Sequence, residues 1–234
     1  MIKKLFCACI YLYQGSAVRN LQDHTVVDND AARLAAYYCN NNADRIIVFD
    51  QSNTDEEHEL ALDTIKKIAI ACEVPVIGAG NVKRMEDVKK LLYAGCAKAV
   101  LNYSKESNIE ITEEVSQKFG KSKILVSYTD TGSLEAHKDL LKEYVSELIC
   151  LDKNQVKNNT GIPTICSLEK ATPEEAKEIL LTDHVSGLTG NVINDTIEDT
   201  FSQKISLAKE GVLVSACEAA MKWSDFKLNS DQML

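Results

Sequence analysis

Basic charge, proline, histidine and long apolar runs are all scarce in this chain. Lys and Arg number 26 against 35 Asp and Glu, a net charge of −9 over 234 residues. An acidic surface repels a phosphate backbone, so nucleic acid is excluded as a general partner, and the surplus reads as an aid to solubility. No stretch reaches the roughly 18 consecutive apolar residues of a membrane-spanning helix. The opening Met1-Ile-Lys-Lys-Leu-Phe-Cys-Ala-Cys-Ile imitates a signal peptide, but no small-residue cleavage site leads into a mature start, and a buried first strand accounts for it. The four histidines, His24, His58, His137 and His184, fall in loop-like or helix-like stretches and read as surface residues. Among eight cysteines there is no C-x-x-C pair, and nearly all sit in apolar patterns, where free cysteine behaves as a small hydrophobe. Neither a zinc site, a disulfide framework nor a cofactor is expected, and reduced thiols fit a cytoplasmic chain.

What is present is an alternation. Short β-branched runs occupy Lys4–Tyr13, Arg45–Asp50, Val74–Gly78, Ala97–Asn102, Lys123–Tyr128, Glu147–Asp152, Pro163–Ser167 and Val185–Thr189. They are apolar with little period-two pattern, as in parallel strands buried on both faces. Amphipathic segments lie between them: Asp28–Asn42, Asp55–Cys72, Arg84–Ala94, Thr112–Phe119, Ser133–Ser146, Thr172–Leu181 and Asp195–Lys209. Thr172-Pro173-Glu174-Glu175 supplies a cap, a proline at the first helical position and acids in the first turn. Eight β/α units in a chain of this length predict an α/β fold, a (β/α)8 TIM barrel.

One interval is short. From Glu147 to Pro163 is only 16 residues, and Lys153-Asn-Gln-Val-Lys-Asn-Asn-Thr-Gly161 is polar without a helical period. It cannot hold a crossover helix, so a degenerate barrel lacking its sixth helix is expected. Such a gap would expose the apolar flank of the sixth and seventh strands and invite cover from a partner or a second copy in a homo-oligomer. An internal repeat runs at an offset of 88: Val74-Pro-Val-Ile over Ile162-Pro-Thr-Ile, and Met85-Glu-Asp-Val-Lys-Lys-Leu-Leu over Pro173-Glu-Glu-Ala-Lys-Glu-Ile-Leu. Duplication of a half-barrel explains it, with chance likeness of β/α units as the rival.

In such a barrel the ligand sits at the C-terminal strand ends. These are Tyr11, Asp50, Gly78 to Asn81, Asn102 to Ser104, Thr129-Asp130, Asp152, Ser167 and Gly190-Asn191. Gly78, Ala79 and Gly80 follow a strand and precede a helix, so their backbone N–H groups can cradle a phosphate, or simply turn the chain. Asn102 and Ser104 end the next strand and can donate to the same group, while Gly190 and Asn191 serve the opposite half. Asp50 and Asp130 are the carboxylates best placed as acid or base, although a strand-end aspartate more often caps a turn.

Those residues resemble a family. Residues 4–19, Asn42-Ala-Asp-Arg-Ile-Ile-Val-Phe-Asp50 and the run from Val74 to Asn102 are similar to the first four units of the histidine-biosynthesis barrels. That family comprises the phosphoribosylformimino-aminoimidazole ribonucleotide isomerase and the cyclase subunit of imidazole glycerol phosphate synthase. The resemblance implies an essential aspartate at the end of strand one, where this chain has Tyr11, and another at the end of strand five, where it has Thr129 with Asp130 one step along. It also implies glycines after strand seven that are absent here. Trp223-Ser-Asp-Phe-Lys-Leu-Asn-Ser-Asp231 in turn resembles the opening of phosphoribosyl-AMP cyclohydrolase.

The expectation drawn from these departures is a barrel over 1–210, with 211–234 as a linker and the start of a truncated cyclohydrolase-like domain. The barrel would be an inactive pseudoenzyme unit of a bifunctional cyclohydrolase/phosphoribosyl-ATP pyrophosphatase. It would bind a phosphoribosyl metabolite or serve assembly, and the hydrolase domain would be its partner. The alternative is an active isomerase or cyclase (lyase) on a phosphoribosyl aminoimidazole ribonucleotide, using Asp50 and Asp130. A third reading is an unrelated phosphosugar enzyme of the same barrel type.

Overall fold

A computed structural model describes residues 3–157, 159–218 and 220–231. Eight parallel strands form a closed barrel: β1 (Leu5–Tyr13), β4 (Arg45–Asp50), β5 (Val76–Ala79), β6 (Lys98–Asn102), β7 (Ile124–Tyr128), β8 (Glu147–Cys150), β9 (Thr164–Ser167) and β10 (Val185–Thr189). Closure comes from β1 pairing with β10, Leu5 opposite Gly187 and Phe6 opposite Leu188. Each run read from the sequence as a strand is one. Two short antiparallel strands, β2 (Ser16–Val18) and β3 (Val26–Asp28), extend the end of β1 over the rim. Gln14 and Gly15 make the first turn with φ of 46° and 81°, the left-handed pair that a two-residue hairpin requires.

Two apolar layers explain the absence of alternation in the strands. Residues such as Cys9, Ile47, Ile77, Val100, Leu125 and Ile165 fill the barrel interior, and their neighbours one position along meet the helices outside. The helices are α1 (Ala31–Asn40), α2 (Asp55–Ala71), α3 (Met85–Tyr93), α4 (Glu106–Glu110), α5 (Thr112–Phe119), α6 (Gly132–Ala136), α7 (Lys138–Tyr144), α8 (Pro173–Leu180), α9 (Asn191–Asn194), α10 (Thr200–Lys209) and α11 (Trp223–Asp231). Among the described residues, no helix is long and apolar enough to cross a membrane. All eight cysteines are unpaired.

Between β8 and β9 the described residues form a single 3-10 turn, Lys153–Gln155, capped by Asp152. The apolar flank expected to lie bare there is covered. Val156 and Ile162 are buried over it, and the Val156 carbonyl is 2.6 Å from His184 Nε2. Leu148, Cys150 and Cys166 are fully buried beneath. Val156 and Ile162 belong to the same buried cluster as these strand residues, so this part of the wall is covered from within the chain.

The C-terminal stretch packs on the same body. Trp223 and Phe226 of α11 enclose Tyr37 of α1, with ring centroids 4.8 and 5.6 Å away. Such aromatic pairs are worth ~0.5–1.5 kcal/mol beyond their buried area. The Lys204 ammonium of α10, 1% exposed, is held by the Asn42 carbonyl at 2.6 Å, Ser215 Oγ at 2.6 Å and Asp44 Oδ2 at 3.0 Å. Backbone N–H groups of Glu218 and Met221 donate to the side chains of Asn42 and Asn41.

Candidate functional site

Strand parity decides which side chains reach the barrel mouth. On β1 the inner positions run through Cys9 and Tyr11, on β4 through Ile47 and Phe49, and on β9 through Ile165. Tyr11 lies flat against Phe49, ring centroids 5.4 Å apart and 16° between planes. Beyond it, Tyr13 stacks at 3.9 Å on His24 from the connection between β2 and β3, and His24 Nε2 lies 3.2 Å from Gln51 Oε1. Burial raises the Tyr11 phenol far above its ordinary value, and neighbouring Cys9 and the Glu169 carboxylate add to the effect. Glu169 is an exposed residue two positions beyond the end of β9.

Asp50 and Asp130 do not meet at the mouth. Asp50 points outward, between the barrel wall and α2. It accepts from Ser52 N at 2.8 Å and from Ser52 Oγ at 2.5 Å, and its Oδ2 lies 2.5 Å from His58 Nδ1. Burial alone would raise its pKa; the hydrogen bonds from His58 and Ser52 outweigh burial and hold it below the usual carboxylate value. Asp130 is exposed and accepts from Gly132 N at 2.9 Å, closing the turn into α6. Thr129 takes the inner position of that strand end, its hydroxyl 3.4 Å from that of Ser104.

The glycines at the end of β5 have packing reasons. A Cβ on Gly78 would meet Leu91 Cδ2 at 2.7 Å, so this residue lets α3 approach the sheet. Gly80 has φ of +89°, and a Cβ there would lie 2.1 Å from the Asp50 carbonyl oxygen. Ala79 is buried between them on the inner face. Asn102 Oδ1 accepts from Ser104 N at 2.9 Å, which leaves the Ser104 hydroxyl at the rim. In the other half, Gly190 has φ of +88°, and a Cβ would meet Ser167 Oγ at 2.7 Å; Asn191 follows as the first residue of α9.

Three features escape the sequence reading. Glu169 is one, an exposed carboxylate just past the C-terminal end of β9. His58 and His184 are another: both are 8% exposed, buried rather than superficial, because each finds a hydrogen-bond partner inside. The third lies at the opposite end of the barrel. Arg45 Nη1 meets Glu147 Oε2 at 2.5 Å, and Lys98 Nζ bonds the other oxygen of the same carboxylate. β4 and β8 are not neighbours in the sheet, so this cluster spans the interior at the N-terminal strand ends. Burial would raise the Glu147 pKa, but Arg45 and Lys98 together hold it below the usual value.

Comparison with known proteins corrects the functional expectation. The chain is 26% identical to imidazole glycerol phosphate synthase subunit HisF of Staphylococcus saprophyticus over 249 aligned positions, 90% of this chain and 98% of that one. It is 31% identical to the subunit of the same name from Staphylococcus aureus (strain JH9) over 128 positions, 54% of this chain and 51% of the relative. The match to a synthase subunit along nearly its whole length overturns the assignment to a cyclohydrolase/pyrophosphatase. The readings as a hydrolase and as an inert pseudoenzyme fall with it. The nine-residue tail likeness was too short to carry a domain, and its residues form α11 against α1 instead. A profile described as histidine biosynthesis protein matches residues 6–188, from the first barrel strand into the last, and the chain belongs to that family.

Proposed function

We propose that this chain is a cyclase-type lyase of histidine biosynthesis, acting in the cytoplasm on a phosphoribosyl aminoimidazole ribonucleotide. The observation that carries the reading is the correspondence with a synthase subunit over 98% of that subunit's length. The isomerase, which shares the barrel, is the second reading; both relatives are imidazole glycerol phosphate synthase subunits, and that favours the cyclase.

Ring closure and bond cleavage on such a substrate require protons to be taken up and returned at the mouth. We assign that role to Glu169, the exposed carboxylate just past the C-terminal end of β9, and positioned acid–base groups of this kind contribute about 10²–10⁴-fold. Asp50 and Asp130 are held away from the mouth by their own hydrogen bonds and take supporting roles. The substrate's phosphates are anchored at two opposite corners. One uses the backbone of Gly78, Ala79 and Gly80 with the Asn102 amide and Ser104 hydroxyl, the other Gly190 and Asn191. Oxyanions at a rim of this sort are held by backbone N–H groups and neutral donors without a counter-ion. Among the described residues the connection between β8 and β9 carries one 3-10 turn, and we take this to stand in place of a sixth helix in the outer ring.

The test is growth. Expression in a strain lacking the cyclase subunit should restore growth without histidine, and Glu169→Gln should abolish the rescue at equal protein level. If neither the cyclase-deficient nor the isomerase-deficient strain is rescued by folded protein, and the purified chain does not turn over the ribonucleotide, the proposal fails.

A further inference from the structure

A second polar site lies outside the barrel wall. The N-termini of α2 and α3 converge on a cavity of about 160 Å³ lined by Thr54, His58, Asn81, Lys83 and Arg84, among others. His58 stands in the first turns of α2 and is 8% exposed. Its Nδ1 is engaged by Asp50, and its Nε2 is buried without a hydrogen-bond partner in the protein. Buried ring nitrogens are nearly always paired, so this one implies an absent partner.

The charges around the cavity define that partner. The acids facing it are Asp50, Asp55, Glu59 and Asp87, and the bases are Lys83, Arg84 and Lys90. Most of the acids are already spent. Asp50 accepts from Ser52 and His58, Asp87 Oδ2 accepts from the backbone N–H of Lys83 and Arg84 at 2.9 and 3.0 Å, and Glu59 pairs with Lys90 at 2.5 Å. Lys83 has no carboxylate partner among the described residues, and Arg84 approaches Asp87 only to 3.8 Å. A cavity that combines two cations, two helix N-termini and a buried ring nitrogen backed by a carboxylate suits an oxyanion.

We propose that this cavity binds a phosphate group, held by Lys83 and Arg84 and by a hydrogen bond to His58 Nε2, at a site separate from the mouth of the barrel. Asp50 sets the orientation of the His58 ring, so that Nε2 is presented to the cavity.

The test uses the full chain and inorganic phosphate as probe, with ring ¹H–¹⁵N correlation spectra of the histidines at constant ionic strength. The His58 signals, identified by their loss in His58→Gln, should shift saturably at roughly millimolar phosphate. Those of His24, His137 and His184 should not follow. Lys83→Ala, an exposed change that leaves the fold intact, should weaken the effect about tenfold, as expected for loss of one charge-assisted contact. Ser104→Ala, at the mouth, should leave it unchanged. His58 signals that stay fixed, or a shift that survives Lys83→Ala undiminished, would overturn the proposal; neither result bears on the cyclase reading, which is scored by growth.

Discussion

The corner formed by β5 and α3 and the corner formed by β9 and α8 share a scaffold and differ at the rim. The offset of 88 in the sequence holds in three dimensions. Val76–Ala79 maps onto Thr164–Ser167, and the first residue of α3, Met85, maps onto the first of α8, Pro173. Each helix start is tied by an acid in its first turn: Asp87 reaches back to the N–H of Lys83 and Arg84, and Glu175 reaches back to Thr172. Between strand and helix the two part. The first corner has Gly80 and Asn81, with Asn81 Nδ2 donating to the Ser52 carbonyl at 2.9 Å. The second has Leu168, fully buried, and Glu169, exposed. Packing of helix on sheet constrains both corners alike, so it persists; the rim answers to the local backbone and to ligand, so it diverges.

The difference can be broken experimentally. Gly80→Ala should have the largest effect, since its Cβ would enter the Asp50 carbonyl at a positive φ. A loss of about 3–5 kcal/mol is expected from urea unfolding, in the range of strain plus overlap in a core. A loss below about 1 kcal/mol would mean that the glycine is not imposed by the backbone. Leu168→Ala, at the matching position, should cost about 2–5 kcal/mol through a cavity and not through strain. Glu169→Gln should leave the unfolding midpoint alone while lowering kcat/KM by about 10²-fold or more.

Acid titration sharpens the contrast from the other side, because the first corner rests on a buried, ionised Asp50. Its pKa is lowered on folding, so it adds stability above the ordinary aspartate pKa of about 3.9 and forfeits it as the pH falls through the lower, folded value. Unfolding free energy followed from pH 6 downward should therefore decline less steeply in Asp50→Asn than in the parent. An identical slope in both would show that Asp50 is not held ionised. The smallest effect belongs to the cap: Thr172→Ala, which removes the acceptor for Glu175 N at 3.2 Å, should cost about 1 kcal/mol.

The barrel was legible in the sequence because its strands are short apolar runs separated by helices with readable starts, as Thr172-Pro173 shows. The hairpin of Ser16–Val18 and Val26–Asp28 was not, since three-residue strands leave no periodic trace. The site was read in part. Tyr11 and Thr129 occupy the inner strand ends that the family resemblance gave them, but Glu169 lies beyond the last residue of its strand, where an inventory of strand ends stops. His58 read as a surface residue because its helix is strongly charged, and only the fold brings Asp50 under it. Arg45, Lys98 and Glu147 sit at the N-terminal strand ends, and their meeting depends on closure of the sheet, which no local pattern encodes.

The buried ammonium of Lys204 has a practical corollary. Its acceptors come from the loop before β4 and from Ser215, so cutting the chain after α10 would remove one of them and strand a cation in an apolar setting. Tags, truncations and domain grafts at this end of the protein should accordingly be placed beyond the helix that begins at Trp223, where they leave that anchorage whole.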